Sequence, residues 1–257
     1  MKRSIGIATG LFILWIGSLF ALDGREIMDR VDKRPTGKTS HARVRMDLID
    51  SKGKVNTRSV EMFTVKDEKD LKKLVILFHA PASVKNTRYL AVENEGRDDD
   101  KWIYLPALKR VRRIAASEGG SSFMGSDFTY DDMSDRDVDR DNHKLLREEK
   151  LDSYQCYVVE SSAKDPKDSQ YSKRISWVAK EFWIPVKIEL YDKKGNLLKI
   201  ATMDKIDTLQ GYVTPLQTTM KNLQKGTATV LSMEKFAWDE SLPSSLFTTR
   251  YLETGKP

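Results

Sequence analysis

Lys109-Arg110-Val111-Arg112-Arg113 concentrates four cations in five residues. In a strand, Arg110 and Arg112 share one face, and Val111 and Arg113 the other. Guanidinium forks at the rim of a cavity suit phosphate or carboxylate oxygens, whereas the plainer reading is a solvated strand end. A second run, Ser117-Glu118-Gly119-Gly120-Ser121-Ser122-Phe123-Met124-Gly125-Ser126, sets two bulky apolar side chains among glycines and serines. Such a backbone is mobile, and Phe123 and Met124 need an apolar destination. They either cap a core or plug a cavity and swing aside for a ligand, and hinges on both sides favour the plug. Trp102-Ile103-Tyr104-Leu105-Pro106 and Glu181-Phe182-Trp183-Ile184-Pro185 are apolar on both alternating faces. They are central strands covered on both sides, or walls of a ligand cavity. Trp102, Tyr104, Leu105, Phe123, Met124, Phe128, Phe182 and Trp183 are thus the candidates for apolar wall and plug. Arg110, Arg112 and Arg113 are the candidates for holding a headgroup.

Other chemistry finds less support. Asp137-Val138-Asp139-Arg140-Asp141-Asn142, followed by Glu148, mimics part of a calcium loop, but Asn142 stands where the turn glycine belongs. A polar surface loop is the better reading, and no metal or cofactor is expected. The Gly120–Gly125 spacing is that of a phosphate loop, but Ser126 replaces its lysine. His41, His79 and His143 share no local motif, and no Gly-x-Ser-x-Gly elbow occurs, so no enzyme is expected. Cys156, the only cysteine, reads as a small buried hydrophobe and rules out an internal disulfide.

The elements that must position these residues are mostly strands. Asp23 can cap a helix over Arg25 to Val31, with Pro35 beyond its end. Period-two alternation then begins at Ala42, Val44, Met46 and Leu48. Further strands are predicted at 55–65, 74–79, 88–93, 101–105, 110–114, 154–160, 175–178, 185–191, 197–206, 211–222 and 227–236. Turns such as Asp192-Lys193-Lys194-Gly195-Asn196 make them successive antiparallel hairpins. So many strands with so little helix leave a thin cover, which favours a curved sheet around a cavity over a packed sandwich.

Residues 1–21 read as a signal peptide, with Lys2 and Arg3 before an apolar stretch, and 22–257 as a single domain. The formal charge of +6 falls to +4 without Lys2 and Arg3, and the remaining charges interleave along the chain. An exported chain of this kind makes nucleic acid an unsuitable partner and an anionic lipid surface the natural target of any basic patch.

The run from Asp98 to Met133 resembles the hallmark segment of the outer-membrane lipoprotein-sorting family, a branch of the LolA/LolB-like superfamily. The resemblance extends from the strand near His41 to the closing Ser-Leu-Phe-Thr-Thr-Arg-Tyr-Leu-Glu. It implies a LolA-like fold: an incomplete, strongly curved antiparallel β-barrel, mainly β, covered by helices and loops. It also implies a periplasmic carrier of lipid or lipoprotein acyl chains, working between an inner-membrane exporter of the RND or ABC type and an outer-membrane acceptor. The alternative is a non-transporting adaptor of an envelope export complex, with a filled core and its aromatic strands as contact surface; a hydrolase is the third reading.

Overall fold

A computed structural model describes residues 22–257, so the expected signal peptide lies outside the described residues. Asp23 caps α1 (Gly24–Asp32) by accepting from the Glu26 amide, while the Glu26 carboxylate accepts from the Asp23 amide, a reciprocal capping box. Six strands follow: β1 (Thr39–Ile49), β2 (Val55–Lys66), β3 (Lys72–Ala80), β4 (Arg88–Val92), β5 (Asp100–Leu105) and β6 (Arg110–Ile114). After an irregular crossing segment come β7 (Asp141–Leu151), β8 (Tyr154–Ala163), β9 (Lys173–Ala179), β10 (Ile184–Tyr191), β11 (Leu197–Leu209), β12 (Tyr212–Asn222) and β13 (Thr227–Trp238). The chain closes with α2 (Thr249–Thr254).

All thirteen strands form one antiparallel sheet in the order β6-β5-β4-β3-β2-β1-β13-β12-β11-β10-β9-β8-β7. Two hairpin meanders are thus joined by the pairing of β1 with β13, where Ile49 faces Ala228 and Ser40 faces Trp238. The sheet does not close into a barrel, because β6 and β7 remain its two edges.

It is nevertheless tightly curled. The adjacent residues Asp131 and Asp132 reach Lys101 of β5 and Lys199 of β11, at 2.5 and 3.4 Å. Those strands are seven steps apart, which a flat sheet would spread over roughly 34 Å. Neighbouring aspartates can bridge them only if the sheet folds around the segment that carries them.

Strand alternation divides the apolar residues between two faces. The inner face gathers Val44 and Met46 of β1, Val60 of β2, Ile76 and Phe78 of β3, and Leu190 of β10 around one core. The cover at the centre of this face is the crossing segment between β6 and β7, which carries only short 3₁₀ turns, so of the expected helices and loops it is a loop that covers the centre. Helix α1 packs on β7 and β8, with Ile27 clustered against Leu145, Val159 and, one strand further, Val178 of β9. The outer face of β3–β6 is sealed by Leu246, Phe247, Tyr251 and Leu252 from the C-terminal segment.

The strand predicted nowhere in the sequence is β7. Its Asn142-His143-Lys144 and Arg147-Glu148-Glu149 groups hide the period in charge, as suits a sheet edge. The supposed polar loop before it is also more built than expected. Asp141 is buried between Arg136, at 2.8 Å, and Arg174, and Asp139 pairs with Arg25 at 2.5 Å.

Candidate functional site

The centre of the inner face is built around Phe123. Its ring is 1% exposed and lies edge-on to Tyr89 and Tyr130, with centroids 5.2 and 5.6 Å away, and 6.1 Å from Phe78. Phe128 is buried in the same core, and Met124 and Leu105 pack against it. Six of the nine methionines (46, 62, 124, 133, 220 and 233) belong to or border this core. Methionine is unbranched and polarizable, so a wall rich in it repacks around irregular guests at little cost. The remaining space beside Phe123, lined by Met46, Met62, Met133 and Leu231 among others, is about 10 Å³, room for no more than one water. One polar group is stranded there: the Tyr89 hydroxyl is buried without a hydrogen-bond partner.

The loop is held by polar contacts at both ends of its apolar tip. Before the tip, Gly119 has no side chain because the Asp131 carboxylate, which receives the Lys101 ammonium, occupies the place of a Cβ. At the tip, Met124 and Gly125 both take left-handed backbone angles, φ 52° and 77°. The Met124 carbonyl accepts from the Arg58 guanidinium at 2.6 Å. After the tip, Asp127 accepts from the hydroxyls of Thr227 and Thr229 at 2.5 and 2.9 Å. Asp132 accepts from the Tyr171 hydroxyl at 3.0 Å, and both stand beside Lys199. Burial, and then the neighbouring Asp132 charge, push the Tyr171 hydroxyl well above its ordinary pKa, so it stays a donor.

The other sequence candidates separate from this centre. Trp102 and Tyr104 do not wall the inner core: alternation assigns that face to Ile103 and Leu105 and turns both aromatics outward, beneath the C-terminal segment. The aromatic strand is thus covered on both sides. Phe182 packs edge-on to Tyr154, 5.5 Å away, on the outer face of β8–β10. Trp183 stacks on Tyr157 at 5.8 Å, with Arg30 of α1 over it at 4.8 Å. Neither meets Phe123, because their hairpin connection lies at the far end of β9 and β10. Arg110 and Arg112 do share a face, paired with Leu105 and Ile103, while Arg113 is paired with Trp102 on the other. Arg112 binds Glu118 at 2.7 Å, Arg113 binds Asp100, and Arg110 is exposed. Hydrogen bonds from Arg97, Arg113 and Asn94 outweigh burial and hold the Asp100 carboxyl down at about 2.

Two features escaped the sequence reading. Arg58 is the cation that touches the loop tip, and only its inward register, two residues before Val60, signals it. Burial lowers its pKa from the ordinary guanidinium value. His41 and His79, far apart in sequence, both bind Glu61 at 2.8 Å, and His41 also binds Glu240 at 2.8 Å. Burial opposes charge on His41, but the two carboxylates outweigh it and raise its pKa. Burial likewise opposes charge on Glu61, and the two imidazoles outweigh it and lower its pKa. This cluster lies on the outward register of β1–β3, and among the described residues no serine or cysteine side chain bonds to it.

A family model described as that of an uncharacterized protein matches residues 70–254. No curated protein matches the chain. Among solved structures, a DUF1329 family protein from Desulfovibrio piger is 32% identical, covers 89% of this chain and 97% of its own, and superposes with a TM-score of 0.85. A candidate outer membrane lipoprotein-sorting protein domain from Vibrio parahaemolyticus is 31% identical, with coverages of 90% and 98% and a TM-score of 0.85. A LolA superfamily protein from Nitrosomonas europaea, at 21% identity, coverages of 90% and 100% and a TM-score of 0.70, shares the fold. The fold is thus shared along nearly the whole length of these relatives, and the chain belongs to the DUF1329 family, with the lipoprotein-sorting domain from Vibrio among its relatives.

Proposed function

We propose that the chain is a non-catalytic periplasmic carrier that takes the acyl chains of a lipid or lipoprotein into the interior of the curled sheet, moving them between membranes. The observation that carries this reading is the Phe123-Met124 tip, a hinged pair of apolar side chains seated in a methionine-lined interior. An acyl chain entering that interior gains about 0.8 kcal/mol per buried methylene, offset by expulsion of the tip. Release is then as feasible as uptake, since the tip competes for the same space. The stranded Tyr89 hydroxyl and the Arg58 guanidinium stand ready for the polar groups of a cargo once the tip has left. The similarity to a lipoprotein-sorting domain supports the same class of cargo; a donor exporter in the inner membrane and an acceptor in the outer membrane are the partners that this reading calls for.

The adaptor reading is favoured by one observation, the nearly full interior. It also calls for an exposed aromatic contact surface, whereas among the described residues the exposed large hydrophobics are the aliphatic Val55, Leu108, Leu146 and Leu223. Native mass spectrometry with lipid extraction separates the two. A carrier purifies with lipid whose amount changes in a Phe123→Asp/Met124→Asp variant; protein that is lipid-free and binds none when offered it refutes the carrier.

A further inference from the structure

The charges that interleave along the sequence segregate in the fold. At one end of the sheet, the β1–β2 turn carries Lys52 and Lys54, the β10–β11 turn Lys193 and Lys194, and the β12–β13 turn Lys225. All five are exposed, and among the described residues none forms a salt bridge. The three turns are contiguous. A Cβ on Gly226 would stand 3.6 Å from that of Ser51, and the Gln224 amide donates to Asp192 at 2.9 Å. The two aspartates on these turns accept from backbone amides, Asp50 from Lys52 and Lys54, and Asp192 from Lys194 and Asn196. At the opposite end, the β2–β3 turn carries Asp67, Glu68 and Asp70 around a Lys69 paired with Glu95 at 2.8 Å, and Asp239 and Glu240 follow β13.

The basic end also holds most of the exposed apolar bulk. Val55 and Leu223, 49% and 48% exposed, flank these turns, and Leu108, 52% exposed, tips the β5–β6 connection on the same end beside Lys109 and Arg110. The Phe123-Met124 loop is anchored near this end too. Arg58, which holds the Met124 carbonyl, lies three residues from Val55, and Asp127 is tied to Thr227 at the start of β13. Cations around protruding aliphatic tips match an anionic lipid interface, where the headgroups meet the charges and the acyl boundary takes the tips.

We propose that this end is a membrane-docking surface for an anionic lipid leaflet, with Lys52, Lys54, Lys193, Lys194 and Lys225 on the headgroups and Val55, Leu108 and Leu223 in the interface. Docking sets the plug tip against the bilayer, and in this respect the proposal rests on the carrier reading.

The test is flotation of the purified full-length protein with vesicles of phosphatidylcholine alone, or of phosphatidylcholine mixed with phosphatidylglycerol. Binding is expected to the mixed vesicles and to fall with added salt. Each basic residue at such a surface is worth a factor of about five, so Lys52→Glu/Lys54→Glu/Lys225→Glu lowers the association constant by about a hundredfold or more. The equally charged far-end variant Lys69→Glu/Lys205→Glu/Lys235→Glu leaves it unchanged. Val55→Asp/Leu223→Asp removes the part of binding that survives high salt. Equal binding to both vesicles, an equal loss in the far-end variant, or no binding at all overturns the proposal, the last pointing to an acidic protein partner. Melting curves verify that each variant folds. Protein that floats but extracts no lipid sinks only the carrier reading, and protein that holds lipid but ignores vesicle charge sinks only the docking surface.

Discussion

Arg58 donates to the Met124 carbonyl oxygen at 2.6 Å, so a half-buried strand cation holds the loop tip through its backbone and not through a carboxylate. A guanidinium in that position restrains the loop, whatever side chain the tip presents. Arg58→Ala is expected to cost about 1.5–3 kcal/mol, the usual worth of a hydrogen bond to a charged group. The sharper readout is hydrogen exchange across 121–126, which should accelerate while the strand amides stay protected. Unchanged exchange in this loop would show that Arg58 does not restrain it.

Phe123→Ala should empty the centre of the inner face. A buried phenylalanine truncated to alanine costs about 3–5 kcal/mol where the surroundings cannot collapse. The methionines around it can repack, so the loss should sit at the low end, and an apolar fluorescent dye should bind the folded variant more tightly than the parent. A full loss with no gain in dye binding would mark Phe123 as a fixed core residue.

Gly119→Ala should destabilise by about 1–3 kcal/mol, because the added methyl collides with the Asp131 carboxylate that holds Lys101. The backbone at Gly119 is ordinary, φ −53°, so the effect is steric alone. Asp131→Ala in the same chain should recover part of the loss, a coupling that a double-mutant melt measures directly.

Trp102→Ala separates packing from cargo. Its indole packs with the C-terminal segment on the outer face, so stability should fall by about 3 kcal/mol, the low end for a truncated core aromatic. Lipid content per folded molecule should not change. A selective loss of lipid would return Trp102 to the cargo wall.

The His41–Glu61–Glu240 cluster gives a pH dependence of known sign. His41 has a raised pKa when folded, so its contribution is complete below the unfolded histidine pKa and is lost as pH rises through the folded value. Glu61, lowered when folded, contributes above the unfolded glutamate pKa and loses that as pH falls. Stability from the cluster therefore peaks in the mildly acidic window between them. His41 is partly solvated, so the change above neutrality should be about 1 kcal/mol or less. Melting temperature against pH should show this slope in the parent, and it should flatten in His41→Gln.

Much of the sheet was legible because strands with one buried face must alternate, as Ala42, Val44 and Met46 do. Strand β7 was not, since an edge strand rich in Lys, Arg and Glu on both faces has no period to read. The inward seat of the loop tip was legible from Phe123 and Met124 among glycines and serines. Its surroundings were not: which of Trp102 and Ile103 faces inward depends on the fold's choice of face, and both fit a strand equally well. Arg58 and the pairing of His41 with His79 depend on register between strands, which a single sequence does not display.

The pairing of β1 with β13 sets an order of assembly. Each meander is made of neighbouring hairpins that can form as soon as their residues are available, but the seam between them joins Thr39–Ile49 to Thr227–Trp238. Contacts of such long sequence separation are slow to close. A chain emerging from its N-terminus, from a ribosome or a narrow pore, therefore carries an unpaired β1 edge until almost all of it has arrived. That open edge is the template on which two unfinished copies would join, so the last stretch of the chain governs whether the molecule matures alone or aggregates.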